Sequence, residues 1–383
     1  MCEAGVRAQG THYRGHLMHK TGLAELTIII PTYLRPVFAL RQFEYWRETD
    51  AQVVILDGSP TPMEIPGDLK SVNVRYVHSA VSFPERLSTA GRYVSTKYCA
   101  MLSDDEFYTF SGLRAAINLM NTNETVLGCV GRCLYFFVDQ GRFLLKNGYR
   151  EWKPFSDAAV TQSRRLDEDL PPNKTHMAHY AIMRSDAWIR IMEDAYRQPF
   201  SSAYTYERLV NLQRSILGRT VILEQLLWFR SMENRNISVN VVGGPGFLAW
   251  ALDPKYEKEV AHYRSIALDL LKKGGVTEQE ASEFERRFFE VGVQKTLERK
   301  SKLSKRFQDK FRASLLRWSP KKFRLLVKRI LPARTLSFSG WEGYDINHIC
   351  DSLAEQGTQF ERSEVERVRE LSLGTARKLE QGR

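Results

Sequence analysis

Three acids in a row, Asp104, Asp105 and Glu106, follow the apolar run from Tyr98 to Leu102 with only Ser103 between. Carboxylates this close repel one another unless a cation, a proton or a ligand compensates them. A buried strand that delivers them at its carboxyl end puts the charge where open α/β sheets bind ligands. Mg²⁺ or Mn²⁺ is the natural compensating ion, held by hard oxygen ligands and shared with substrate phosphates. The competing reading is an acidic helix start, where Asp and Glu complement the helix dipole.

The elements that must position these acids are legible in outline. Leu26 to Ile30 is expected to form a buried strand ended by Pro31, and Arg35 to Glu48 a helix with Pro36 near its start. Gln52 to Leu56 is a second strand closed by the turn Asp57-Gly58-Ser59-Pro60, and Val72 to Val77 a third. Pro84 to Thr96 is expected as a helix and Tyr98 to Leu102 as the fourth strand. The order β-α-β-β-α-β predicts an α/β fold with a mostly parallel sheet and flanking helices. A helix near Ser111 to Met120 and two or three strands between Thr125 and Tyr149 should follow. Beyond the polar loop Pro154 to Lys174, a strand is expected over Thr175–Met183 and a helix from Ser185. Further helices are expected over Tyr204–Leu217 and Leu223–Met232, before the turn Gly243 to Gly246.

Four segments of the chain, in this order, resemble the family 2-type glycosyltransferases of the GT-A fold, a Rossmann-like architecture. They are LTIIIPTYLRP (Leu26 to Pro36), VVILDGS (Val53 to Ser59), Tyr98 to Phe107, and ERLVNLQRSILG (Glu207 to Gly218). The resemblance spans roughly Leu26 to Arg235. It implies transfer of a sugar from a nucleotide-sugar donor to a glycan or lipid-linked acceptor, with Mn²⁺ or Mg²⁺. It also implies that Asp105 and Glu106 hold the metal and that Glu207 is the catalytic base. One base with no evident nucleophile favours inversion. The chain departs from the family pattern at Ser103 and Leu56, where acids are common, and at Arg208, where Asp is common.

The remaining donor-binding candidates can each be weighed against a plainer role. Pro31, Thr32, Tyr33 and Arg35 line the turn after the first strand, where the nucleotide is expected. Asp57 is a candidate for the base or ribose, or else a turn Asp bonding its own backbone. Arg86 is a candidate for the diphosphate through its planar fork, or else a surface Arg. Asp104 is assigned to the metal-diphosphate. His176 and His179 can approach phosphate, metal or acceptor, or else serve as structural groups. Trp188 and Trp228 are expected in the core, and Arg230 at phosphate or at a helix end.

The whole chain carries a net charge of +11, with 43% hydrophobic residues. Between Lys295 and Arg334, fifteen Lys or Arg stand against Glu298 and Asp309, a net +13 that leaves −2 for the rest. Within it, Ser319-Pro320 starts an expected helix with an apolar face from Phe323 to Leu331 and basic flanks. That pattern suits either the anionic inner face of a membrane or packing against the body with a solvated basic side. Nucleic acid is not expected, for lack of a recognised motif. Five cysteines without a zinc pattern, no apolar span and no secretory signal lead us to expect a cytoplasmic protein, peripheral on the membrane at most. Three parts are expected: an extension over 1–24, the catalytic domain over 25–250 and a helical, basic region over 251–383. Two alternatives stand beside the transferase: an inactive scaffold with this fold, and a nucleotidyltransferase.

Overall fold

The computed structural model describes residues 21–148, 179–233, 244–290, 293 and 343–381. His176 and the rest of 175–178, the first four residues of the strand expected over Thr175–Met183, fall outside that set, as does the basic segment 295–334. Among the described residues a nine-stranded mixed sheet runs β3-β2-β1-β4-β8-β6-β9-β5, with β7 paired to β6. Its strands are β1 Leu26–Thr32, β2 Gln52–Asp57, β3 Val74–His78, β4 Tyr98–Met101, β5 Phe107–Tyr108, β6 Val126–Asp139, β7 Arg142–Asn147, β8 Ile182–Arg184 and β9 Arg219–Ser231. By residue pairing the sheet is mostly parallel. β3, β2, β1 and β4 run together, and so do β6 and β9. Antiparallel pairing is confined to the β6–β7 hairpin and to short contacts of β5 and β8.

The helices that matter for the site are α1 Pro36–Trp46, α2 Phe83–Ser88, α3 Phe110–Thr122, α4 Ser185–Tyr196 and α5 Ala203–Leu217. β1 lies in the middle of the parallel half, and Ile28, Ile29 and Ile30 are fully buried. Its neighbours cover both faces, so it reads as an unbroken apolar run rather than an alternating one. Full burial of each such side chain stabilises the fold by about 1.5–3 kcal/mol.

Two expectations are corrected. The helix foreseen over Pro84 to Thr96 ends at Ser88 and gives way to a 3-10 turn, Ala90–Tyr93. There Gly91 packs against Ile189 of α4 so closely that a Cβ would lie 2.7 Å from its Cγ2. The second correction is larger: Leu223–Met232 is not helical but lies almost wholly in β9. A short apolar run does not distinguish a buried strand from a buried helix, and here long pairing with β6 decides. Among the described residues of the strand expected up to Met183, Ile182 and Met183 lie in a strand, β8.

Helices over Phe247–Leu252, Glu257–Lys273 and 278–290 pack with α4 and α5 on one face of the sheet. The region expected to be helical over 251–383 ends in two helices, Ile346–Glu355 and Arg362–Gln381. They return to the other face, where Ile349, Leu353, Val365 and Val368 join the core containing Ile28 and Ile30. Gln359 forms a bridge beside Gln225 of β9. No helix among the described residues is long and apolar enough to cross a membrane.

Candidate functional site

The parallel strands all end on one edge, and Thr32, Asp57 and His78 stand side by side in register there. The three acids follow β4 on the same edge, in a turn closed by Glu106 N–H donating to the Ser103 carbonyl (3.1 Å). Two consecutive residues of α1 tie that turn down. Gln42 Nε2 donates to the carbonyls of Asp104 and Glu106 (2.9 Å each), and Arg41 Nη2 donates to that of Asp105 (2.8 Å). Trp46 Nε1 in turn donates to Gln42 Oε1, one helical turn back (3.0 Å). Carbonyls left unpaired by an irregular turn are thereby satisfied inside the protein.

The acid side chains are almost wholly buried: Asp104, Asp105 and Glu106 are 2%, 7% and 5% exposed. Thr32 Oγ1 donates to Asp104 Oδ2 (2.7 Å), and Arg35 Nη1 to Asp104 Oδ1 (2.7 Å). The same guanidinium reaches Asp105, with Nη2 2.9 Å from Oδ2. Burial pushes the Asp104 carboxyl up to about 7; Arg35 opposes the rise and Asp105 adds to it. Glu106 is pushed up to about 8, again by burial first, with Arg230 opposing. Its Oε2 accepts from Trp228 Nε1 (2.8 Å), and Arg230 Nε lies 3.9 Å from Oε1.

Trp228 and Arg230 reach Glu106 because β5 and β9 pair antiparallel, Tyr108 opposite Trp228. Reading this segment as a helix hid that contact. Glu233, just past β9, was also missed. It pairs with Arg41 (3.1 Å), and burial raises its carboxyl against the pull of that Arg. The signal for it was an acid following an apolar strand, as at Glu106.

Tyr180 stacks on Trp228 with ring centroids 4.5 Å apart, and its carbonyl accepts from Tyr108 Oη (2.7 Å). The Tyr180 phenol is raised by burial first; the charges of Glu106, Glu207 and Asp105 raise it further and Arg230 lowers it. Glu207 on α5 and the acids of the turn thus both act on the Tyr180 phenol. His179 is buried, its Nε2 3.3 Å from the Tyr196 hydroxyl, and Tyr196 stacks on Tyr206 at 4.7 Å.

Other candidates take positional roles. Asp57 accepts from Ser59 N–H (2.9 Å), from Ser59 Oγ (2.5 Å) and from Tyr76 Oη (2.7 Å). Ser59 Oγ accepts from Leu34 N–H (2.8 Å), and His78 Nε2 donates to the Ser59 carbonyl (2.7 Å). The turns after β1 and β2 are thus one hydrogen-bonded unit. Arg86 is buried rather than on the surface, and its Nη1 donates to the carbonyls of Thr32 (2.8 Å) and Leu56 (2.7 Å). Gly58 lies flat against that guanidinium, where a Cβ would overlap it. Pro31 is inside β1, and Tyr33 leaves it toward a cavity of about 930 Å³. Gly58, Phe83, Arg86, Tyr196 and Arg197 also line that cavity. An aromatic-walled cleft with a few cationic groups suits a ring-bearing, anionic ligand.

No family model matches the chain, and no curated protein matches it in sequence. Solved structures similar to it include S. aureus TarS 1–349, at 13% identity and a TM-score of 0.44, covering 69% of this chain and 70% of that one. The complex of the same fragment with UDP-GlcNAc has 13% identity and a TM-score of 0.43, covering 69% and 71%. Its complex with UDP has 12% identity and a TM-score of 0.38, covering 64% and 70%.

Proposed function

We propose that the chain is a GT-A-type glycosyltransferase, moving a sugar from a nucleotide-sugar donor to a hydroxyl of a glycan or lipid-linked acceptor. One observation carries the reading: a buried acid turn at the carboxyl edge of the parallel strands. The diphosphate would meet the acid turn and Arg35, and the nucleoside the cleft beside Tyr33. Glu207 would take the proton of the acceptor hydroxyl as its oxygen bonds to the anomeric carbon. The bond from that carbon to the diphosphate oxygen breaks on the opposite face, which gives inversion.

Mn²⁺ or Mg²⁺ belongs to the proposal. Among the described residues no three metal-ligating side chains stand together. The donor set of hard carboxylates still fits an ion that takes one or two protein oxygens and the rest from phosphate. Asp105 and Glu106 would hold it, and bound there it would offset charge on the departing diphosphate. The cytoplasmic setting and an anionic membrane surface met through 295–334 are part of the same reading.

Glu207→Gln tests it, with UDP-GlcNAc, one of the ligands seen with TarS, as the first of a panel of nucleotide sugars. Turnover should fall about 10²–10⁴-fold, the usual worth of a general base, with nucleotide affinity unchanged. Wild-type turnover in that variant would sink the assignment. The scaffold reading draws on Arg35, which already neutralises the acid pair. It predicts no transfer with any sugar of the panel.

A further inference from the structure

Arg35 occupies the place where a cation would otherwise be needed. One guanidinium spans two carboxylates, Nη1 at 2.7 Å from Asp104 and Nη2 at 2.9 Å from Asp105. The backbone aims it there. Leu34 has φ of 54°, a left-handed conformation that costs a non-glycine residue energy, and its N–H is held by Ser59 Oγ. Arg35 then sits at the N-cap of α1 with Pro36 fixing the next residue, and its guanidinium lies 4.4 Å from the Phe38 ring centroid.

The clamp sets one positive charge against two carboxylates and is incomplete in hydrogen bonds. Nε and Nη2 of Arg35 are buried with no hydrogen-bond partner; Nη2 is close to Asp105 but poorly aligned with it. Buried donors left unmatched cost free energy, so a better-aligned acceptor can compete for them. A guanidinium fork fits two phosphate oxygens as well as it fits carboxylates. The Arg35 side chain is 11% exposed, so the group is reachable from solvent.

We propose that Arg35 is an exchangeable counter-ion. Without nucleotide it closes the Asp104–Asp105 pair; when a nucleoside diphosphate arrives, it swings to the phosphate oxygens and opens Asp105 to a divalent cation. Asp105 then takes the cation, and Asp104 keeps the Thr32 hydroxyl. The cation and the nucleotide then bind with strong positive coupling, each raising the affinity for the other by the same factor. This rests on the nucleotide-sugar reading for its ligand, and on the clamp geometry alone for its first half.

Calorimetric titration of the full chain tests it, using Mn²⁺ alone, UDP alone and UDP with Mn²⁺ on wild type, Arg35→Ala and Arg35→Lys. Arg35→Ala should bind Mn²⁺ alone about tenfold or more tighter than wild type, and UDP with Mn²⁺ about tenfold weaker, the scale of a charged hydrogen bond. Partial unfolding weakens both, so opposite signs exclude a merely structural role. Arg35→Lys, whose ammonium cannot bridge both acids, should fall between. Mn²⁺ affinity in Arg35→Ala equal to wild type, or absent from both, overturns the clamp. Unchanged UDP affinity with tightened Mn²⁺ overturns the exchange. If UDP binds no variant at all, the nucleotide-sugar reading fails, while the Mn²⁺ comparison still judges the clamp.

Discussion

Glu106→Gln is expected to stabilise the nucleotide-free protein above pH 8 and to leave it unchanged near pH 4. Burial pushes Glu106 up to about 8 from its ordinary 4.5, and neighbouring Asp105 and Asp104 add to the rise. The folded protein therefore holds a proton between pH 4.5 and 8 that the unfolded chain has released. Stability must fall with rising pH across that window and level off above it. Gln does not titrate, and it keeps an oxygen for the Trp228 N–H. At ~1.4 kcal/mol per pKa unit, the shift corresponds to a ceiling of ~5 kcal/mol. Loss of the Arg230 contact removes about 1–2 kcal/mol of that. The net gain of about 3 kcal/mol should raise the melting temperature by about 5 °C at pH 8.5. Melting curves of both proteins from pH 4.5 to 9 in EDTA measure the difference directly. A loss of stability of constant size at every pH would show that Glu106 is stabilised as the anion, and the reasoning would be wrong.

Two other perturbations probe the frame around the site. Gly58→Ala puts a methyl into the Arg86 guanidinium and should cost about 1–3 kcal/mol as Arg86 leaves the Thr32 and Leu56 carbonyls. The urea midpoint reads it, and an unchanged midpoint would refute the close contact. Deleting the chain from Gly343 onward removes Ile349, Leu353, Val365 and Val368 from the core, each 2% exposed or less. It also removes the Glu364–Ser111 and Arg367–Glu48 contacts. Losing four buried side chains costs on the order of 6 kcal/mol, comparable to a whole domain's stability, so the truncated protein should lose its cooperative transition. A melt like that of the full chain would show that these helices are mere passengers.

The acid turn and the strands that deliver it were legible because both signals are local. An apolar run ending in charge needs no partner to be noticed, and the β1, β2 and β4 ranges agree within two residues at either end. What escaped depends on contacts distant in sequence. Leu223, Leu226, Leu227 and Trp228 fit a helical face, and only pairing with β6 and β5 makes them a strand. That error carried Trp228 and Arg230 away from Glu106. Arg41 and Gln42 escaped differently: the apolar residues of α1 define its inner face, and these two polar residues share it. Their partners are backbone carbonyls, which no pattern of side-chain types reveals.

The charges close on one another in a way that bears on what the site can accept. Asp104, Asp105, Glu106 and Glu233 are met by Arg35, Arg41 and Arg230, four acids against three bases. Three bases are enough to let the cluster fold without a ligand. Burial is the first cause that lifts Asp104 and Glu106, and the neighbouring acids add to it. A neutral ligand would leave the excess of one acid in place. An anion alone would deepen it by drawing Arg35 away. An anion accompanied by a divalent cation brings the carboxylates a cation in exchange for the Arg35 it draws away. Of the three, only the paired ligand turns the strain of the free site into affinity, and a metal-bound nucleoside diphosphate has that composition.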